Sequence, residues 1–126
     1  MVPKQTRGRI YPSESSLLSA ISGKWTILVV YALSDNVMRH SELRRVICGI
    51  SQKMLTQTLR LLEQNGIVIR TVYPVIPPQV EYSLTPLGKS LLEVLNLVHD
   101  WAKEHQDEVE QAQQAFIVAQ TDRKTT

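Results

Sequence analysis

The hydrophobic period of this sequence changes at Gly66. Before it, Met54, Leu55, Thr58, Leu59, Leu61 and Leu62 recur at the spacing of one buried helical face. After it, Ile67-Val68-Ile69-Arg70-Thr71-Val72-Tyr73 is β-branched and roughly alternating, as a strand is. Pro74 to Gln79 holds three prolines, which exclude helix and central strand. Val80–Leu84 then alternates again. A helix that runs straight into a β-hairpin leaves few architectures open.

The upstream residues narrow them further. Ser13 reads as an N-cap, with Glu14 in the first turn and Leu17, Leu18 and Ile21 as the buried stripe of a short helix. Trp25, Leu28, Val29, Ala32 and Leu33 give a second, core helix over about Lys24–Leu33. Ser34–Asn36 is a turn, and Val37–Arg39 a strand stub. Residues 41–47 are helical again, with Ser41 as N-cap. Cys48-Gly49 turns the chain, and Ser51 caps a helix through Asn65, which Gly66 closes. Thr85-Pro86 opens a last helix running to about Ala119.

Two helices joined by a tight turn and followed at once by a hairpin predict a winged helix-turn-helix. The expected fold is mainly α with a small β-hairpin and a long C-terminal dimerisation helix. The expected organisation is a flexible basic arm over 1–12, one winged-helix domain over 13–119 that includes the C-terminal helix from about 86, and a polar tail over 120–126. A length of 126 residues suits one such domain.

Charge is unevenly spread. Residues 1–90 carry eleven Lys/Arg against five Asp/Glu, and residues 91–126 carry three against seven. A basic body with an acidic tail points to a polyanionic partner for the body alone. The helix 51–65 carries the sharper signal. Its outward face holds Gln52, Lys53, Thr56, Gln57, Arg60, Glu63 and Gln64. Glutamine pairs with adenine through two hydrogen bonds, Arg or Lys pairs with guanine, and Thr or Ser contacts phosphate or a thymine methyl. Ser51 adds free main-chain N–H groups at the helix start. Arg39, Ser41, Arg44 and Arg45 lie just upstream and suit phosphates, whose neutralisation gives sequence-blind affinity. In the hairpin, Arg70 and Gln79 beside the stiff Pro77-Pro78 tip suit backbone or minor groove. The expected partner is therefore double-stranded DNA.

The last helix holds a second pattern. Leu91, Leu95, Val98, Ala102, His105, Val109, Ala112, Phe116 and Ala119 step alternately by four and three, the seam of paired helices. Val94, Leu97 and Trp101 form another stripe, expected to pack on the body. A homodimer is predicted, with Leu17 of the first helix joining Leu91, Leu95, Val98, Ala102, His105 and Val109 at the interface. Such a dimer reads a pseudo-palindromic operator with one recognition helix per half-site.

Other classes fit less well. His40, His99 and His105 are scattered, and no metal-ligand spacing, Gly-rich phosphate loop or paired acids appear. No enzyme, cofactor or metal is expected. The runner-up is a winged-helix module for protein contacts without DNA. The single cysteine, Cys48, excludes an intrachain disulfide. No stretch approaches the ~18 apolar residues of a membrane span. Met1–Arg9 lacks the apolar core of a secretory signal, so the cytoplasm is the expected compartment. Trp25, Tyr31, Tyr73 and Trp101 are candidates to line a small-effector crevice, with no effector named by the sequence.

Several segments together resemble the HxlR-type family of winged-helix regulators, related in architecture to the MarR group. They are Gly23-Lys24-Trp25-Thr26, Arg39-His40-Ser41-Glu42-Leu43-Arg44-Arg45, Gly49 through Arg60, and Val80 through Gly88 with the wing prolines. The resemblance covers about residues 11–105. It implies a cytosolic bacterial or archaeal dimer that represses or activates nearby genes, repression being the first reading. Many relatives carry a Cys-Pro pair before the first helix, and in some that thiol senses oxidants. Here the pair is Tyr11-Pro12, so the thiol is missing. Cys48, in the turn before the recognition helix, is the one remaining candidate for redox chemistry.

Overall fold

The computed structural model describes residues 16–125. The basic arm and the Ser13 cap lie outside the described residues. Seven elements follow in chain order: α1 (Ser16–Ser22), α2 (Lys24–Ala32), α3 (His40–Val46), α4 (Gln52–Gln64), β1 (Val68–Tyr73), β2 (Gln79–Leu84) and α5 (Pro86–Thr125).

Local chemistry explains most boundaries. The Ser51 hydroxyl accepts the Met54 N–H at 3.0 Å, so α4 starts where the sequence predicts. At its other end Gly66 has φ +73°, the left-handed region that glycine enters without steric cost. That turn lets Gly66 N–H bond the Glu63 carbonyl and Ile67 N–H bond the Leu62 carbonyl. These are the paired bonds of a Schellman stop, and they pass the chain directly into β1. The Thr85 hydroxyl donates to the Gly66 carbonyl at 2.6 Å and accepts the Gly88 N–H at 2.9 Å. It therefore caps α5 and ties it to the end of α4.

The hairpin is antiparallel, in register from Val68↔Leu84 to Tyr73↔Gln79. The predicted strand stub is one bridge: Met38 and Tyr82 exchange main-chain hydrogen bonds of 3.0 and 2.8 Å. It fastens the hairpin to the segment that leads into α3.

The core lies where α2, α3, α4 and the hairpin base meet. Val29, Val30, Leu33, Leu43, Leu55, Leu59 and Leu62 are essentially inaccessible, with Ile47, Ile50, Ile67, Val68 and Leu84 around them. Each such side chain contributes about 1.5–3 kcal/mol through its removal from water. Thr26 is buried among them and donates to the Ala20 carbonyl at 3.1 Å, which joins α1 to α2 without an unpaired polar group.

Four expectations need correction. The N-cap of α3 is Arg39, not Ser41. The Glu42 carboxylate accepts the Arg39 main-chain N–H at 2.9 Å, so the helix begins earlier and Ser41 falls inside its first turn. Met54, expected on the inner side of α4, is exposed. The helix α5 does not stop at Ala119 but reaches Thr125, a length of 40 residues. The segment 120–125 is polar yet has no Gly or Pro, and Arg123 and Lys124 favour a helix C-terminus. Finally, Val94, Leu97 and Trp101 are not covered, being 54, 69 and 58% exposed. At the start of α5, Gly88 is buried and Leu91 and Leu92 are half-buried. A Cβ at Gly88 would collide with the Ile67 carbonyl, so the start of α5 lies close against the start of the hairpin. The chain's contacts divide at Leu92, and Glu93–Thr125 is a second unit consisting of helix alone.

Candidate nucleic-acid interface

The α4 helix has two unlike sides. Leu55, Thr58, Leu59 and Leu62 are buried, while Gln52, Lys53, Thr56, Gln57 and Arg60 are exposed. The fixed inner side sets the outer one in place, since stepping the helix by one residue would put charge into the core. Ser41, Arg44 and Arg45 are exposed on α3, and Ser51 is exposed between the two helices. Gly49 makes the intervening turn with φ +87°.

The wing adds Arg70 on β1 and Gln79 at the start of β2. Arg70 stands opposite Tyr82 in the ladder. With Thr56, Leu59, Arg60 and Glu63, these two residues line a concavity of about 490 Å³ between α4 and the hairpin. Arg60 and Arg70, from different elements, thus line one recess together with a single acid, Glu63, which leaves the lining net positive beside the outer face of α4. Pro77 and Pro78 are exposed at the tip, and the Ile76 side chain there is fully exposed. Arg39, expected to be a free phosphate ligand, is partly engaged: its Nη2 donates to Gln79 Oε1 at 2.8 Å. That bond spans forty residues of sequence and joins the start of α3 to the wing.

One residue of this surface was missed by sequence reasoning. His40 lies between Arg39 and Ser41, its ring half-buried, with Nε2 3.1 Å from the Thr56 hydroxyl of α4. Its pKa lies below the usual histidine value of 6.5. Burial is the main cause and the Arg44 charge the second, while the Gln52 main chain opposes them. The contact joins residues sixteen apart, so no local pattern could have shown it.

The expected dimer residues are scattered in exposure. Leu17, Val98 and Val109 are 55, 59 and 43% exposed, and Ala102 is exposed. His105 is half-buried, stacked on Trp101 with ring centroids 4.7 Å apart, and its Nδ1 lies 2.8 Å from the Trp101 carbonyl. Leu91, like His105, is half-buried, and Leu95 is buried. Cys48 is a free, exposed thiol. Of the aromatic candidates for an effector crevice, Trp25 and Tyr31 are half-buried and Tyr73 and Trp101 exposed. Among the described residues no group of three or more His, Cys, Asp and Glu could hold a metal ion, and no helix is long and apolar enough to cross a membrane.

A helix pair with a glycine turn, a polar outer face on its second helix and a hairpin fastened beside it define a winged helix-turn-helix transcriptional regulator. The chain belongs to the HxlR-like helix-turn-helix family, which matches residues 20–110. It is 45% identical over 93 residues to the HTH-type transcriptional regulator YtfH of Escherichia coli, covering 74% of each chain. Among solved structures it resembles the redox regulator HypR in its reduced form, with TM-score 0.71 and 40% identity over 80% of this chain and 99% of HypR. It also resembles a MarR-family regulator from Enterococcus faecalis V583, with TM-score 0.71 and 34% identity over 88% of this chain and 96% of that one.

Proposed function

We propose that this regulator is a cytoplasmic homodimer that binds duplex DNA and represses transcription from a pseudo-palindromic operator. The observation that carries the reading is the outer face of α4. Gln52, Lys53, Thr56, Gln57 and Arg60 are all exposed on one helix whose inner face is locked in the core. In the major groove this set supplies amide, hydroxyl and cationic donors for base edges. Ser51, Ser41, Arg44 and Arg45 supply phosphate contacts, while Arg70, Pro78 and Gln79 place the wing on the adjacent backbone or minor groove. The exposed apolar positions of α5, Val98 and Val109 among them, support pairing with a second copy.

The test is selection of bound duplexes from a random pool, followed by footprinting and sedimentation of the complex. A two-fold sequence bound by two chains is expected, with half-site centres about one helical turn apart. Recovery of no enriched sequence, or of a site bound by one chain, would overturn the reading. Loss of repression on deletion of the gene in a reporter strain distinguishes a repressor from an activator.

A further inference from the structure

His40 is a titratable side chain that links the two helices of the helix-turn-helix. It opens α3, its ring is half-buried, and its Nε2 lies 3.1 Å from Thr56 Oγ1 on the outer face of α4. The groups that face it are few. From α3 comes the Arg44 guanidinium, and from α4 the Gln52 main chain and the Thr56 hydroxyl, neither of which is charged. The only acid of α3, Glu42, is turned to the Arg39 main-chain N–H. Among the described residues, the one charge acting on the ring is the Arg44 guanidinium, which opposes its protonation.

We propose that His40 is a positioning residue of the DNA-reading surface: it orients the Thr56 hydroxyl and takes up a proton from solvent as a duplex docks, so that DNA affinity rises as pH falls. The inference rests on the DNA-binding reading above. The chemistry is a change of hydrogen-bond polarity. In the neutral ring one nitrogen is an acceptor, and Nε2 in that role takes the Thr56 O–H. In the cation both nitrogens donate. A solvent proton forms the new N–H bond, Nε2 donates to Thr56 Oγ1, and the Thr56 O–H is released toward an acceptor in the groove.

A duplex supplies what the free protein lacks. Its phosphates bring negative charge to the face that holds Ser41, Arg44 and Thr56, which favours the imidazolium. The free ring starts from a value lowered by burial and by Arg44, so it is neutral near pH 7 and has a proton to gain. Affinity then increases as pH falls from the bound-state value to the free-state value, and is flat below that.

The test uses the full chain and the duplex recovered from the random pool. Affinity is measured between about pH 8 and 6 for the wild type, His40→Gln and Thr56→Val. A difference of one pKa unit between free and bound states gives a tenfold change, so the wild type should tighten by about threefold to tenfold more than His40→Gln across this range. His40→Gln should lose the pH-dependent part of the affinity, and Thr56→Val should show a smaller rise than the wild type. Calorimetry in buffers of different ionisation enthalpy should show net proton uptake by the wild type, reduced in His40→Gln. Equal slopes and equal uptake in the wild type and His40→Gln would overturn the assignment of His40 alone. A pool that yields no duplex overturns the DNA-binding reading itself. If His40→Gln does not fold, wild-type proton uptake decides together with Thr56→Val: zero uptake, or an undiminished rise in that variant, overturns the proposal.

Discussion

The α4 helix and the part of α5 beyond Leu92 are opposites. In α4 the apolar side chains are buried and the exposed face is amide, hydroxyl and cation. In α5 beyond Leu92, Val94, Leu97, Val98, Trp101, Phe116, Ile117 and Val118 are all more than half exposed. The same chain thus leaves two different chemistries facing water. A polar face with its inner side locked suits a hydrated, charged partner that is read by hydrogen bonds. An apolar helical stripe suits removal from water against another apolar stripe. The kind of residue left exposed, more than the amount of exposure, separates a surface for nucleic acid from one for protein.

Four perturbations test that division, in descending order of effect. Reversing charge at Lys53→Glu and Arg60→Glu should weaken DNA binding by about 4 kcal/mol, at roughly 1–3 kcal/mol for each lost contact. Fluorescence anisotropy reads this, and sedimentation should show association unchanged. If specific DNA affinity survives and a protein partner is lost, α4 is a protein-contact face and the contrast collapses. Next, Leu55→Ala removes a fully buried side chain from the inner side of α4 and should cost about 3 kcal/mol of stability by chemical denaturation. Both faces of the helix depend on that packing, so DNA affinity should fall with it.

Trimming the other region should do the reverse. Val109→Ala removes apolar area that is 43% exposed in the single chain. Dimer dissociation should become easier by about 2 kcal/mol, summed over two copies, while melting of the body stays unchanged. Equal sedimentation of Val109→Ala and the wild type at low concentration would remove this residue from the interface.

The smallest effect is on pH dependence. His40 binds its proton less readily in the folded chain than at the ordinary value of 6.5. The unfolded chain therefore gains protons first as pH falls. Stability is full above 6.5 and is lost as pH drops through the lowered folded value. Melting temperatures of the wild type and His40→Gln should diverge as pH falls from 6.5 towards that value, by on the order of 2 °C. Because His99 and His105 are common to both proteins, parallel curves would show that burial of His40 costs nothing.

Much of the body was legible because its signals are local. Ser51, Asn65 and Gly66 bracket α4 in the sequence, and Thr85-Pro86 marks the start of α5. The inner and outer faces of α4 follow from spacing alone, with Met54 at the margin. The errors lie where distant residues decide. Arg39 replaces Ser41 as cap because Glu42 folds back on its N–H. The close approach of α5 to the hairpin depends on Gly88, whose missing Cβ leaves room for the Ile67 carbonyl twenty-one residues away. His40 and Thr56 meet only because two helices cross. The end of α5 was misplaced for another reason: polarity was read as a tail, although Gln, Asp, Arg and Lys are compatible with a helix.

The ties between the wing and the start of α3 carry one more consequence. Met38 is bonded twice to Tyr82, and Arg39 is bonded to Gln79. The hairpin is thus pinned at its middle and at one edge to the segment that launches the helix-turn-helix. Under the DNA-binding proposal, these bonds would hold constant the offset between the contacts of α4 and those of the wing. In the proposed DNA-bound dimer, base pairs inserted or deleted between half-sites would be met by a change in how the subunits join. On that reading, tolerance to operator spacing would belong to the subunit junction rather than to the wing.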